Sequence, residues 1–99
     1  MNSDLPSAIN QWHIVFDPYG FSLKSSWLED AEKTEDILQL AHVYESGPVI
    51  DVGFYHDRYK VHVIKNQDWD EPIEEFESGS CDKIAQWVYG ALSRYENGF

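Results

Sequence analysis

The side chains able to do chemistry in this chain are four histidines (His13, His42, His56, His62), one cysteine (Cys81) and a crowded set of carboxylates. The carboxylates gather between Asn66 and Glu77, where Asp68, Asp70, Glu71, Glu74, Glu75 and Glu77 occur with no lysine or arginine among them. Histidine and carboxylate together could supply a general acid and base or hold a metal, and a thiol in the first turn of a helix could act as a nucleophile. Spacing argues against each. His56 and His62 fall on opposite faces of the hairpin predicted around them, His42 on a helix flank, and His13 on the face opposite Trp12, so they do not converge on one substrate. Cys81 opens a helix without an evident histidine partner, and no serine sits in a nucleophile elbow. Asp68-Trp69-Asp70-Glu71 begins like a calcium loop, but Pro72 and Ile73 stand where a third oxygen ligand and a glycine are needed. One cysteine and dispersed histidines give no zinc spacing. Gly79-Ser80 is too short for a phosphate-binding turn. The expectation is a non-enzyme with no cofactor and no built metal site.

Trp69, Ile73 and Phe76 are set among the clustered carboxylates. A solvated linker omits such large apolar groups, so the acidic run is expected to be pinned to a folded body and displayed there. Eighteen Asp and Glu against seven Lys and Arg give a net charge of -11. Such a field repels nucleic acid and anionic membranes as direct partners. It strains the compact state by self-repulsion, and it can steer a basic protein into contact. Four Trp, six Tyr and five Phe exceed what a core this small needs, and Tyr and Trp are the side chains that interfaces favour. The candidate contact surface is therefore Asp68, Trp69, Asp70, Glu71, Glu74, Glu75, Phe76 and Glu77, with Asp51, Tyr55 and Asp57 from the adjoining hairpin. Tyr55 and Trp69 are its expected anchors. The competing reading is that the acids only guard a sheet edge against strand pairing.

The elements that must position these residues follow from periodicity. Ninety-nine residues suit one domain, with residues 1–9 as a loose lead-in. From Gln11, alternation puts Trp12, Ile14 and Phe16 on one face; Asp17-Pro18-Tyr19-Gly20 reads as a turn, and Phe21 to Trp27 as a returning strand. Ser26 and Glu29 suggest a capping box, after which Ile37, Leu40, Ala41 and Tyr44 recur at helical spacing up to Gly47-Pro48. Val49 to His56 and Tyr59 to Lys65 form a hairpin around Asp57-Arg58, with Phe54 opposite Val61 and Val52 opposite Val63. Glu74 to Glu77 could add an edge strand. Ser80 caps a last helix with an apolar stripe of Ile84, Val88, Ala91, Leu92 and Tyr95, ended by Asn97-Gly98. The expected fold is α+β, an antiparallel sheet of four to five strands with two helices packed on one face. A lone cysteine, an N-terminus without a basic or apolar leader, and no run long enough to span a bilayer make a cytosolic location the expectation.

In size, acidity, α+β pattern and aromatic content the chain resembles the small immunity proteins that bacteria make against their own toxins, including those of contact-dependent growth inhibition and related polymorphic systems. The resemblance is carried by Asp51-Val52-Gly53-Phe54-Tyr55, by Tyr59-Lys60-Val61-His62-Val63-Ile64, by the stretch Asp68 to Glu77 and by the closing helix. It implies a non-enzymatic inhibitor that binds a cognate toxin domain, often a basic nuclease, in the cytosol. A nucleic-acid mimic that inhibits a defence protein, of anti-restriction or anti-CRISPR type, shares the same physics.

Overall fold

A computed structural model describes residues 2–44, 47–65 and 68–98. The valine-rich stretches form the centre of an antiparallel sheet. Val49–Tyr55 (β3) and Arg58–Ile64 (β4) make a hairpin, flanked by Leu38–His42 (β2) and Trp12–Phe16 (β1) on one side and Glu74–Ser78 (β5) on the other. The spatial order β1-β2-β3-β4-β5 follows the chain, so every connection joins neighbours. Cys81–Arg94 (α1) is the one α-helix among the described residues, and Ser7–Gln11 forms a 3-10 turn ahead of β1. Ser80 caps α1 by accepting from the Lys83 amide at 3.3 Å. No helix among the described residues is long and apolar enough to cross a membrane.

The α+β class and the antiparallel sheet are as expected; the second helix is not. The stretch expected to be helical up to Tyr44 supplies β2 instead, and residues 17–37 are turns and irregular chain. Two periodicities compete there. The helical one joins Ile37, Leu40, Ala41 and Tyr44, whereas alternation joins Leu38, Leu40 and His42, which are buried in turn while Tyr44 is left 58% exposed. Alternation prevails because β2 lies between β1 and β3 and both its edges are paired. An isolated acidic helix of this length gains no comparable support.

The expected return strand from Phe21 to Trp27 is likewise absent. The Phe21 amide donates to Asp17 Oδ1 at 2.7 Å, and Gly20, at φ +78°, turns the chain away from the sheet. Phe21, Trp27 and Leu28 are nonetheless fully or almost fully buried. They join Leu38, Leu40, Ile50, Val52, Val61 and Val63 of the sheet and Ile84, Val88 and Leu92 of α1 in a single core on one face.

Residues 2–9 are not a loose lead-in. Asn2 is buried; its backbone amide donates to the Ser22 carbonyl, and its side-chain amide donates to the Phe21 carbonyl at 2.9 Å and the Tyr89 hydroxyl at 3.1 Å. Trp27 Nε1 donates to the same hydroxyl at 3.0 Å. Tyr89 thus ties the N-terminus and the irregular 17–37 segment to α1. Tyr89→Phe strips both donors of that acceptor, and since an orphaned buried donor costs about 1–3 kcal/mol, chemical denaturation should show a loss of at least about 2 kcal/mol. An unchanged denaturation midpoint would mean that water replaces the hydroxyl.

Candidate functional site: the outer face of the sheet

Helix α1 and the core lie on one side of the sheet, and cross-strand register fixes what faces the other. Asp51 of β3 stands opposite Gln39 of β2 and His62 of β4, and His62 stands opposite Glu75 of β5. In β1 the register shifts between Ile14 and Phe16, so Phe16 pairs with Gln39 rather than sharing the face of Trp12 and Ile14. A bulge of this kind re-aims one side chain. The result is a row across all five strands, Phe16, Gln39, Asp51, His62 and Glu75. A second row, Gly53, Lys60 and Glu77, runs beside it.

The hairpin turns at His56-Asp57, one residue earlier than expected, with both residues at positive φ (50° and 65°) as a type I′ turn requires. Phe54 therefore faces Tyr59 and Val52 faces Val61, so each strand keeps its expected faces but meets a different partner. This places His56 at the mouth of the cleft that His62 also lines, where opposite faces had been expected.

Two shallow clefts meet at Asp51. One, of about 340 Å³, is lined by Asp51, Tyr55, His56, Lys60, His62 and Trp69. The other, of about 300 Å³, is lined by Val15, Phe16, Asp36, Gln39 and Asp51. Asp36 is held in place from Gly53, over which the preceding loop crosses: a Cβ there would sit 2.2 Å from the Glu35 carbonyl oxygen. The Phe54 amide donates to the Thr34 carbonyl at 2.8 Å, and the Tyr55 hydroxyl donates to that of Glu35 at 3.2 Å. Burial pushes the Asp51 carboxyl up to about 6, and the negative charge of Asp36 adds to the rise. Tyr55 is raised too, first by burial and then by Asp51, Glu35 and Asp36. Chemically the row offers a partly desolvated carboxylate between aromatic walls.

The expected contact residues divide between the two faces. Asp51, Tyr55 and Trp69 come together in the larger cleft, and Trp69 is 49% exposed. Asp68, Asp70 and Glu71 are exposed in the segment before β5, while Asn66 and Gln67 lie outside the described residues. Asp57 is exposed in the hairpin turn and does not line the cleft. Glu75 and Glu77 face outward beside His62 (Nε2 to Oε1, 3.4 Å) and Lys60 (Nζ to Oε2, 3.6 Å). Glu74 and Phe76 point the other way. Glu74 accepts from Arg94 at 3.2 Å and from the Tyr95 hydroxyl, whose pKa rises to about 12 through burial and the Glu74 carboxylate. Phe76 stacks on Trp87 with ring centroids 5.5 Å apart, and the Arg94 guanidinium lies 4.8 Å from the Trp87 centroid. These two residues fasten β5 to α1. Alternation within Glu74-Glu75-Phe76-Glu77 carried that division. His62 shares the face of Asp51 as the hairpin alternation implied, whereas the placing of Phe16 and Gln39 in that row had no such signal, because it depends on β2 and on the bulge.

Among the described residues, no three His, Cys, Asp or Glu side chains are grouped so as to hold a metal. Comparison of the chain with protein-family models, curated proteins and solved structures finds no match.

The raised Asp51 pKa fixes the sign of a stability effect. The folded state binds the Asp51 proton more tightly than the unfolded state, so stability falls as pH rises from about 4, the unfolded value, through about 6. Asp51→Asn should raise stability at pH 7.5 by about 1–2 kcal/mol, a figure reduced for the partial exposure of the group. The gain should vanish near pH 4. Paired thermal melts of the two proteins at both pH values measure this.

Proposed function

We propose that the protein is an immunity protein that binds and neutralises a cognate toxin domain of basic character. It does so through the outer sheet face and the adjoining segment from Asp68 to Glu71. The observation that carries this reading is the outer face itself: a partly buried carboxylate, Asp51, set between two clefts walled by Phe16, Tyr55 and Trp69. A charged group kept against the stability of the fold is a mark of a binding surface. The net charge of -11 supplies the steering, and the exposed aromatics supply the slow dissociation that charge alone does not give. The toxin as target, and a nuclease as its class, rest on the resemblance to immunity proteins. Binding is an act of occlusion and needs no cofactor.

The test is co-expression with the product of the neighbouring gene, scored by growth rescue, followed by purification of the complex and kinetics over a salt series. Complex formation should weaken as salt shortens the Debye length. Asp70→Lys with Glu71→Lys should slow association about tenfold, and Trp69→Ala should speed dissociation by a similar factor or more. Glu74 is unsuitable for such a test because it supports α1. Absence of both rescue and complex would overturn the toxin reading; capture of a nucleic-acid-binding defence protein instead would favour the mimic.

A further inference from the structure

The outer face is not uniform in charge. The larger cleft contains its own cations: Lys60 lies beside Glu77, and His62, when protonated, can pair with Glu75. Among the described residues the smaller cleft has none. Its lining is two carboxylates (Asp36, Asp51), one side-chain amide (Gln39) and two apolar side chains, Val15 and Phe16, which are 57% and 43% exposed. Phe16 is there only because of the β1 bulge. Both carboxylates are restrained, Asp51 by its place in a central strand and Asp36 by the backbone bond between Phe54 and Thr34 and the close approach of Glu35 to Gly53.

We propose that this cleft between β1 and β3 receives the guanidinium of an arginine side chain presented by the basic partner. The proposal rests on the reading of a basic protein partner and names the chemistry of one contact. A guanidinium suits the cleft better than an ammonium for three reasons. Its planar fork carries five donors and can engage more than one of the acceptors in the lining; its face can lie against an aromatic ring such as Phe16; and it is weakly hydrated, so entry into a partly desolvated site costs it less. The stem of the arginine would cover Val15 and Phe16. Binding forms no covalent bond. It places a cation beside Asp51, whose charged form burial and the Asp36 carboxylate disfavour.

The experiment uses the intact protein at pH 7.5 and three small probes: N-acetyl-arginine N-methylamide, its lysine counterpart, and the neutral isostere N-acetyl-citrulline N-methylamide. NMR titration should show the arginine probe shifting the Gln39 side-chain amide, the Phe16 ring and the Asp51 carboxyl carbon together, with a Kd in the millimolar range expected of a single side chain. The lysine probe should bind at least about threefold more weakly, and the citrulline probe should leave the cleft unshifted. Asp36→Asn with Asp51→Asn removes the charge at one exposed and one destabilising position, and should abolish arginine binding while the fold is kept. Equal shifts from citrulline, equal or tighter binding of lysine, or shifts confined to Tyr55 and Trp69 would each overturn the proposal. Success here without growth rescue would sink the toxin reading and leave the arginine cleft standing. A toxin complex that forms while the cleft stays unshifted would do the reverse.

Discussion

The constraint on which this structure depends is that one helix has to close the core of a five-stranded sheet. Five strands at about 4.8 Å spacing make a surface on the order of 24 Å wide, whereas a helix with its side chains is about 10 Å across. Helix α1 lies against β4, β5 and the 3-10 turn, so it covers only part of the sheet. The remainder, over β1 to β3, must be closed by irregular chain. That accounts for the burial of Phe21, Trp27 and Leu28 in a segment without regular structure. It also accounts for the polar fastening. Irregular chain brings backbone groups that a helix would have paired internally, and these need partners when covered. Asn2 donates to the Phe21 and Ser22 carbonyls, the Tyr89 hydroxyl accepts from the Asn2 and Trp27 side chains, and no buried side-chain nitrogen or oxygen among the described residues lacks a partner.

Covering one face in this way leaves the other without helix among the described residues, and that is where the unfavourable electrostatics collect. Asp51 sits mid-strand on the central strand of the sheet, a place where side-chain packing alone would select an apolar or hydroxyl residue. Its neighbour across β4 is His62, and Asp36 adds like charge from the loop that Gly53 admits. An arrangement that raises a carboxyl to about 6 lowers the stability of the fold at neutral pH. The same arrangement sharpens the attraction for a cation arriving from outside, because the carboxylate has already lost part of its hydration.

How much of this could be read from the chain depends on which interactions were local. The β3–β4 hairpin and α1 were legible, since Val49 to Ile64 alternates apolar residues over a length that suits strands, and Ser80 with the stripe from Ile84 to Leu92 marks a capped amphipathic helix. The hairpin register was misplaced by one turn position because His56 and Asp57 adopt positive φ without glycine. The segment 21–44 failed for a deeper reason. Leu38 to His42 carries both a helical and a strand period, and the choice was made by pairing with Trp12–Phe16 and Val49–Tyr55, contacts that no local pattern contains. The candidate site was legible in proportion. Asp51, Tyr55 and Trp69 could be picked out from the hairpin and the acidic run, whereas Phe16, Asp36 and Gln39 came into view only with β2 in place.

The acidic run, finally, has two separable duties. Within β5, Glu75 and Glu77 stand beside His62 and Lys60 of the neighbouring strand, and Glu74 is committed to Arg94 and Tyr95. Negative charge spaced along an edge strand and matched to the neighbouring strand is what protection of that edge requires. Edge protection therefore accounts for the second half of the run. It does not account for the first. Asp68, Asp70 and Glu71 precede β5 and guard no ladder, and Trp69 among them keeps about half its surface in water while one side of it walls the cleft of Asp51. An exposed indole flanked by carboxylates adds nothing to the core, and its position at the rim of the outer sheet face suits the contact proposed for it.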